Sequence, residues 1–312
     1  MSELVSTWPI DKKVYDEELK DFLPDRIVDI HNHVWLGNGH DNPVVASERS
    51  VKWATVVAPT NPIDDLFESN RILFPDKRVE SIIFPNIPVP SGVDQANRYV
   101  ERVAGEHGIP SLLLAHPSWT ARELEKQLRA GKHLGIKVYL TYAPDYIPKA
   151  EIRIYDFLPK EHLEVIDRLG LMVILHIPRN GRLKDQVNLA QLMEIDAAYP
   201  NANVVVVHIG RAYCPEDIGS SFDILKESKN LLYEFSGNTN QAAMEELLRH
   251  IPASRILYGS DLPIVRMRMG RICEGGTYIN LVPEGLYEGV DDDPHVREVG
   301  PERSQELTFF LY

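Results

Sequence analysis

The stretch IVDIHNHVW places His31 and His33 two residues apart at the end of an apolar run. In a strand, residues two apart point to the same side, so both imidazoles face one point in space. Two nitrogen donors arranged this way suit a metal ion. Other apolar runs also close on polar residues: His116 in SLLLAHP, His176 in LMVILHIP, His208 in NVVVVHIG and Asp261 in RILYGSDLP. Alternation puts His176 on the side of Met172 and Ile174, His208 on the side of Val204 and Val206, and Asp261 on the side of Leu257 and Gly259. Several histidines and one carboxylate form a donor set for zinc, with manganese or iron(II) as alternatives.

The elements that position these residues are read from periodicity. Eight short runs rich in β-branched residues fall at 27–33, 80–87, 111–117, 136–142, 171–178, 203–210, 231–237 and 255–263. Between them lie stretches of helical spacing such as ARELEKQLRAGKHLG, KEHLEVIDRLG, QLMEIDAAYP and QAAMEELLRHIP. Strand then helix, repeated, predicts a parallel sheet, and periodicity alone leaves a barrel and a doubly wound open sheet both open. The histidines and Asp261 all close their runs at the carboxyl end, the face on which α/β barrels carry their active sites. That placement favours an α/β fold of the distorted (β/α)8 TIM-barrel type, formed as a single domain over residues 1–312.

Two segments break the rhythm. Residues 34–79, with VKWATVVAP and the predicted helix PIDDLFESNRILF, form an excursion between the first and second strands. Residues 264–300 are rich in Gly, Pro and Asp, show no period, and are expected to be an active-site loop over the barrel mouth. PERSQELTFFLY is predicted as a closing helix, and the apolar pattern still running at Tyr312 points to a natural chain that continues further.

Asp and Glu outnumber Lys and Arg by 46 to 33, and no basic block is present to bind phosphates, so nucleic acid is not expected as a partner. No apolar run approaches the ~18 residues of a membrane span, and the first residues lack the layout of a signal peptide, so the expected location is cytoplasmic. Cys214 and Cys273, with no Cys-x-x-Cys pairing, are expected to be ordinary thiols in a reducing compartment. Barrels of this kind often pair, so a homodimer is one option, but no self-complementary patch is visible in the residues and the sequence leaves the oligomer open.

HNH after an aspartate-containing strand, His176 ending the fifth strand, HIGR at the sixth and GSD at the eighth together resemble the amidohydrolase superfamily. The resemblance is to its amidohydrolase-related branch, which includes aminocarboxymuconate semialdehyde decarboxylase, and it extends over most of the chain. It implies one divalent metal ion, usually zinc, in a distorted (β/α)8 barrel. By motif position, His31, His33, His176 and Asp261 match the metal ligands, and His208 matches the histidine that positions or deprotonates the metal-bound water. Asp261 is also matched to a proton acceptor. Lys137 stands where some relatives carry a carboxylated lysine that bridges two metals. In this branch that lysine is often unmodified, so a second metal is not expected and Lys137 is assigned to a substrate carboxylate or oxyanion.

Six arginines follow strand ends: Arg179, Arg182, Arg211, Arg266, Arg268 and Arg271. Guanidinium groups bind carboxylates bidentately, which predicts a small carboxylate substrate held by Lys137, Arg179, Arg211 and His116. Trp35, Tyr139, Tyr142 and Tyr213 lie near strand ends and could hold a flat ring. The expected activity is metal-dependent hydrolysis of an amide, ester or lactone by an activated water. The alternative is a metal-dependent, non-oxidative decarboxylase, a carbon-carbon lyase acting on an aromatic or unsaturated acid. A non-catalytic metal-binding barrel is the third class, and the complete ligand set argues against it.

Overall fold

The aliphatic runs form eight parallel strands: β1 (Arg26–Val34), β2 (Arg78–Pro85), β3 (Leu113–Leu114), β4 (Gly135–Val138), β5 (Met172–Leu175), β6 (Asn203–Val206), β7 (Leu232–Glu234) and β8 (Ile256–Leu257). The computed structural model describes residues 6–36, 49, 56–88, 90–290 and 293–312. β1 pairs with β2, and β3 to β8 pair in chain order. Backbone hydrogen bonds join the two groups at both seams. On one side Leu112 N–H donates to Ile83 O (2.9 Å), and on the other Asp261 N–H donates to His31 O (2.9 Å) and His33 N–H to Leu262 O (2.9 Å). The ring is the expected distorted (β/α)8 barrel, with paired segments shorter than the apolar runs that form them.

Ile30, Ile82, Phe84, Leu112, Ile174, Val205 and Val207 fill the inside of the ring. Val173, Leu175, Val204 and Val206 face outward and pack with Leu163, Ile166, Leu189 and Leu192 of the surrounding helices. The helices form where the spacing predicts them, at Ile63–Leu73, Ala121–Gly131, Lys160–Leu169, Gln186–Ala198 and Gln241–His250. Local chemistry sets their ends. The Thr120 side chain accepts from Glu123 N–H while Glu123 reaches back to Thr120 N–H, a capping box that satisfies two otherwise orphaned donors. Gly170, at φ 64°, closes Lys160–Leu169 in the left-handed conformation that costs glycine nothing.

Residues 264–300 depart from expectation. They build a three-stranded sheet of β9 (Gly270–Glu274), β10 (Thr277–Pro283) and β11 (Val296–Val299), in the order β11-β10-β9. Gly275 and Gly276, at φ 58° and 75°, make the two-residue turn between β9 and β10. Two successive positive φ values match the twist of a hairpin and favour Gly-Gly strongly. The closing helix is also shorter than predicted, covering only Pro301–Ser304. Beyond it the chain turns and Phe309 makes an isolated antiparallel bridge to Arg268, with Met269 N–H donating to Thr308 O (3.1 Å) and Phe310 N–H to Met267 O (2.7 Å). TFFLY is β-branched and aromatic, a composition that favours pairing over helix. Of the excursion at 34–79, the helix Ile63–Leu73 forms as expected, while most of VKWATVVAP lies outside the described residues. No helix among the described residues is long and apolar enough to cross a membrane.

The two cysteines are not free thiols. Cys214 and Cys273 form a disulfide, with 5.8 Å between their Cα atoms, across 59 residues of sequence. It ties the segment after β6 to β9, a proximity that exists only once the hairpin has folded back over the barrel. Alkylation of the denatured protein without reductant should therefore modify neither cysteine, and after reduction it should modify both. Mass spectrometry checks this, and two modified cysteines in the unreduced sample would contradict the pairing.

Candidate active site

His31 and His33 reach the mouth because β1 carries an irregularity in its register against β2 between Asp29 and Asn32. Ile30 faces the inner core, and the shift then turns the next residue, His31, inward as well. Both histidines present Nε2 to one oxygen. Asp261 Oδ1 lies 3.3 Å from His31 Nε2 and 3.1 Å from His33 Nε2. The three donor atoms lie within 4.8 Å of one another, and all three residues are buried.

Neighbouring groups decide where the ring protons sit. His31 Nδ1 faces the Glu234 carboxylate at 3.3 Å, which places the proton on Nδ1. The Tyr139 hydroxyl is 3.1 Å from Pro85 O, which can only accept, so its remaining lone pair takes the proton of His33 Nδ1, also at 3.1 Å. Both Nε2 atoms are therefore left with lone pairs aimed at an anionic oxygen. Burial pushes the imidazoles of His31 and His33 toward the neutral form. Burial opposes charge on Asp261 too, and its carboxyl falls to about 2 only where His31, His33 and His208 carry positive charge. Neutral rings carry no charge with which to stabilise that carboxylate. A divalent cation at the point of convergence would supply it, and His31 Nε2, His33 Nε2 and an Asp261 oxygen form the N,N,O donor set that could hold one.

His176 follows β5 and points inward as alternation predicts, since Ile174 lies in the inner core. Its Nε2 faces His208 Nε2 at 3.1 Å, and its ring stands edge-on to that of His31 with 6.4 Å between centroids. The three-residue donor cluster does not include it.

His208 arrives by a different route from the one that alternation predicts. Val205 and Val207 face inward and Val204 and Val206 outward, so a continued strand would turn His208 away from the site. Instead His208, Ile209, Gly210 and Arg211 all adopt left-handed φ values of 56°, 49°, 57° and 61°. Each non-glycine residue there costs roughly 1–2 kcal/mol, so the turn needs support from its surroundings. Support comes from β7: Glu234 accepts from His208 N–H (2.9 Å), and Asn238 Nδ2 donates to His208 O (3.0 Å). Gly210 has no alternative, because a Cβ there would meet Leu183 Cδ1 at 2.4 Å. His208 Nδ1 lies 2.7 Å from Ser236 O, which fixes the proton on Nδ1 and leaves Nε2 with a lone pair.

Lys137 is fully buried on β4, with Nζ 3.4 Å from His31 Nε2 and against the rings of Phe84 and Tyr139. Burial pulls its ammonium down to about 8. The site opens into a cavity of about 170 Å³ whose lining includes His33, His176, His208, Asp261, Tyr139, Arg211, Tyr213, Arg271, Tyr278 and Phe310.

Three residues expected to bind substrate do not line this cavity: Lys137 is fully buried behind it against His31, and Arg179 and His116 turn elsewhere. Arg179 pairs with Asp185, which also caps the helix Gln186–Ala198. His116 turns to Ser118 Oγ (2.8 Å) and the ring of Tyr142. Arg182 is likewise paired, with Asp217, and Arg268 with Asp11, whereas Arg211 and Arg271 line the cavity. Of the aromatic candidates Tyr139 and Tyr213 line it, while Trp35 bonds Pro59 O and Tyr142 bonds Pro88 O.

Sequence reasoning passed over Glu234, in LLYEFSG. Its signal was a lone carboxylate inside an apolar run, and the structure buries it fully with bonds to His208 N–H, Ser236 N–H (2.5 Å) and His31 Nδ1. Glu234→Gln keeps the shape but loses the anion that sets the His31 proton. Metal affinity, measured by competition with a fluorescent chelator, should fall about 10–100-fold. Unchanged affinity would show that Glu234 does not orient the ligand.

A family model described as Amidohydrolase matches residues 28–271. Among the curated proteins nothing matches. Among solved structures, a probable 2-pyrone-4,6-dicarboxylic acid hydrolase from Acinetobacter baumannii, with citric acid bound, is 17% identical; the match covers 76% of this chain and 84% of that one, with TM-score 0.52. A dihydroxybenzoic acid decarboxylase from Polaromonas sp. JS666, solved with manganese and the inhibitor 2-nitroresorcinol, is 16% identical, with 77% and 87% covered and TM-score 0.52. An amidohydrolase from Burkholderia multivorans is 13% identical, with 76% and 85% covered and TM-score 0.55. At these identities the likeness speaks for the barrel fold alone. The family match runs over well over half of the chain, and this chain belongs to the amidohydrolase family.

Proposed function

We propose that this protein is a metal-dependent hydrolase acting on an amide, ester or lactone of a small carboxylate. The observation that carries the proposal is the convergence of His31 Nε2, His33 Nε2 and Asp261 Oδ1 beside His208, whose Nε2 lies 3.1 Å from His176 Nε2 at the same cavity. His176 is the further nitrogen donor proposed for the metal, with zinc as the ion and manganese or iron(II) as alternatives. When bound, such an ion lowers the pKa of a water molecule and polarises a substrate oxygen.

The chain's own residues supply the rest. His208, anchored through Nδ1–H to Ser236 O, has its Nε2 lone pair available to take a proton from water and return it to the leaving group. Asp261 Oδ2, 4.0 Å from His208 Nε2, favours the transient imidazolium. Arg211 donates to Ile177 O and Pro178 O through Nη1, which holds its guanidinium at the cavity wall, where we assign it to the substrate carboxylate.

A second activity is favoured by the aromatic walls. Tyr139, Tyr213, Tyr278 and Phe310 line the cavity, a composition suited to a flat ring. Decarboxylation of an aromatic acid would use the same base in reverse, with His208 delivering a proton to carbon as carbon dioxide leaves. The Cys214–Cys273 pairing weighs against the reducing, cytoplasmic location expected from the sequence.

The test is to load the purified full chain with zinc or manganese and screen carboxylated lactones, esters and amides by proton release, and aromatic acids by carbon dioxide release. Activity should vanish on chelation and return with metal. His208→Asn should lower kcat about 10²–10⁴-fold while metal content is retained. Turnover that survives complete metal removal, or a His208 variant with normal kcat, would refute the proposal.

A further inference from the structure

Arg271, like Arg211, lines the mouth without a carboxylate partner among the described residues. It lies on β9, in the hairpin that covers the barrel, and it lines the same cavity as His208 and Asp261. No ion pair to it is present among the described residues, whereas Arg179, Arg182 and Arg268 each face a carboxylate. Its hydrogen bonds go to neutral oxygens: Nε donates to Asn280 Oδ1 (2.9 Å) and Nη1 to Gly237 O (2.6 Å). Its guanidinium carbon lies 4.8 Å from the ring centres of Tyr213 and Tyr278 and 4.6 Å from that of Phe310. A guanidinium held among aromatic rings with no carboxylate within 4 Å among the described residues is partly desolvated without a direct counter-anion. Arg182, stacked on the same Tyr213 and Tyr278 rings, adds a second cation there, an arrangement that costs free energy unless a ligand provides the charge.

The geometry connects this cation to the reacting centre. Gly237, whose carbonyl accepts from Arg271, has a left-handed φ of 57°, and a Cβ on it would stand 3.7 Å from His208 Nδ1 and 3.9 Å from Asp261 Oδ2. One backbone residue therefore separates the guanidinium from the proposed base. Asn280 is the direct cross-strand partner of Arg271, and Tyr278 is that of Cys273. Cys273 is in turn bonded to Cys214, the neighbour of Tyr213. The hairpin register and the disulfide thus hold Arg271, Tyr278 and Tyr213 in one stack at the cavity wall. Arg211 enters the same cavity from the turn after β6. Asp261 is the single carboxylate among the described lining residues.

We propose that Arg271 forms a second anion subsite, so that the substrate is a flat dianion: one carboxylate addressed by Arg211 and a second acidic group seated on Arg271 beside the paired rings of Tyr213 and Tyr278. The inference rests on the proposed carboxylate specificity and deepens it. Specificity is expected to lie in the hairpin, because a monoanion leaves Arg271 uncompensated whereas a dianion neutralises it with a charge-assisted, potentially bidentate contact.

Isothermal titration calorimetry on the zinc-loaded full chain tests it, with benzoate as monoanion and phthalate, isophthalate and terephthalate as dianions of different spacing. At least one dianion should bind wild type about tenfold or more tighter than benzoate. Arg271→Gln should cut the affinity of that dianion about tenfold more than that of benzoate, and Arg271→Lys should restore part of the difference by keeping the charge. Comparing two probes on one variant separates loss of the subsite from a general loss of structure. If no dianion exceeds benzoate, or if the advantage survives in Arg271→Gln, the second subsite is wrong while the carboxylate specificity stands. If neither benzoate nor any dianion binds the metal-loaded wild type, the carboxylate specificity falls and the subsite falls with it.

Discussion

A single buried carboxylate, that of Glu234, holds the site together. It is fully buried at the end of β7 and is satisfied by two backbone N–H groups and the His31 ring. Removing an ionised group from water costs several kcal/mol unless hydrogen bonds replace the solvent. Here the replacement bonds are the ones that matter for chemistry. One fixes the proton of His31 on Nδ1, freeing Nε2, and another anchors the left-handed turn that brings His208 round to the cavity. The same group thereby sets a proposed metal ligand and the proposed base, from opposite sides.

That dependence explains what the sequence made legible and what it hid. His176 could be placed because its position follows local periodicity at a strand end, and the barrel itself follows from eight repeats of the same rhythm; His31 and His33 share a side as their spacing requires, but the register irregularity in β1 is what turns that side inward. His208 was assigned to the right place through the wrong geometry: the inward residues of β6 are Val205 and Val207, and a run of positive φ values, invisible to alternation, does the turning. Glu234 was missed because a lone acid within LLYEFSG looks like an ordinary strand interruption until its partners, distant in sequence, converge on it. The hairpin over the mouth was hidden by its glycines, read as a sign of a loop although Gly-Gly between GRICE and TYINLVP is also a two-residue turn signal. Arg179 and the cysteines were misjudged for a shared reason: their partners, Asp185 and each other, are set by tertiary approach rather than by spacing.

The hairpin changes how the cavity is understood. The barrel supplies a corner rich in imidazole and one carboxylate, built on strand ends and backed by the packed inner layer of Ile174, Val205 and Val207. β9 and β10 supply the opposite wall, where Arg271 and Tyr278 meet Tyr213 and Phe310. Chemistry and selectivity are thus assigned to different parts of the chain, a division common to barrel enzymes, whose strand ends react while their loops choose.

The central claim is that His31, His33 and Asp261 hold one divalent cation. X-ray diffraction from crystals grown with zinc, recorded above and below the zinc absorption edge, measures this directly. The account predicts a single anomalous peak per chain at about 2.0–2.2 Å from His31 Nε2, His33 Nε2 and an Asp261 oxygen. A map with no peak between these three residues, or with the metal bound elsewhere, would contradict it.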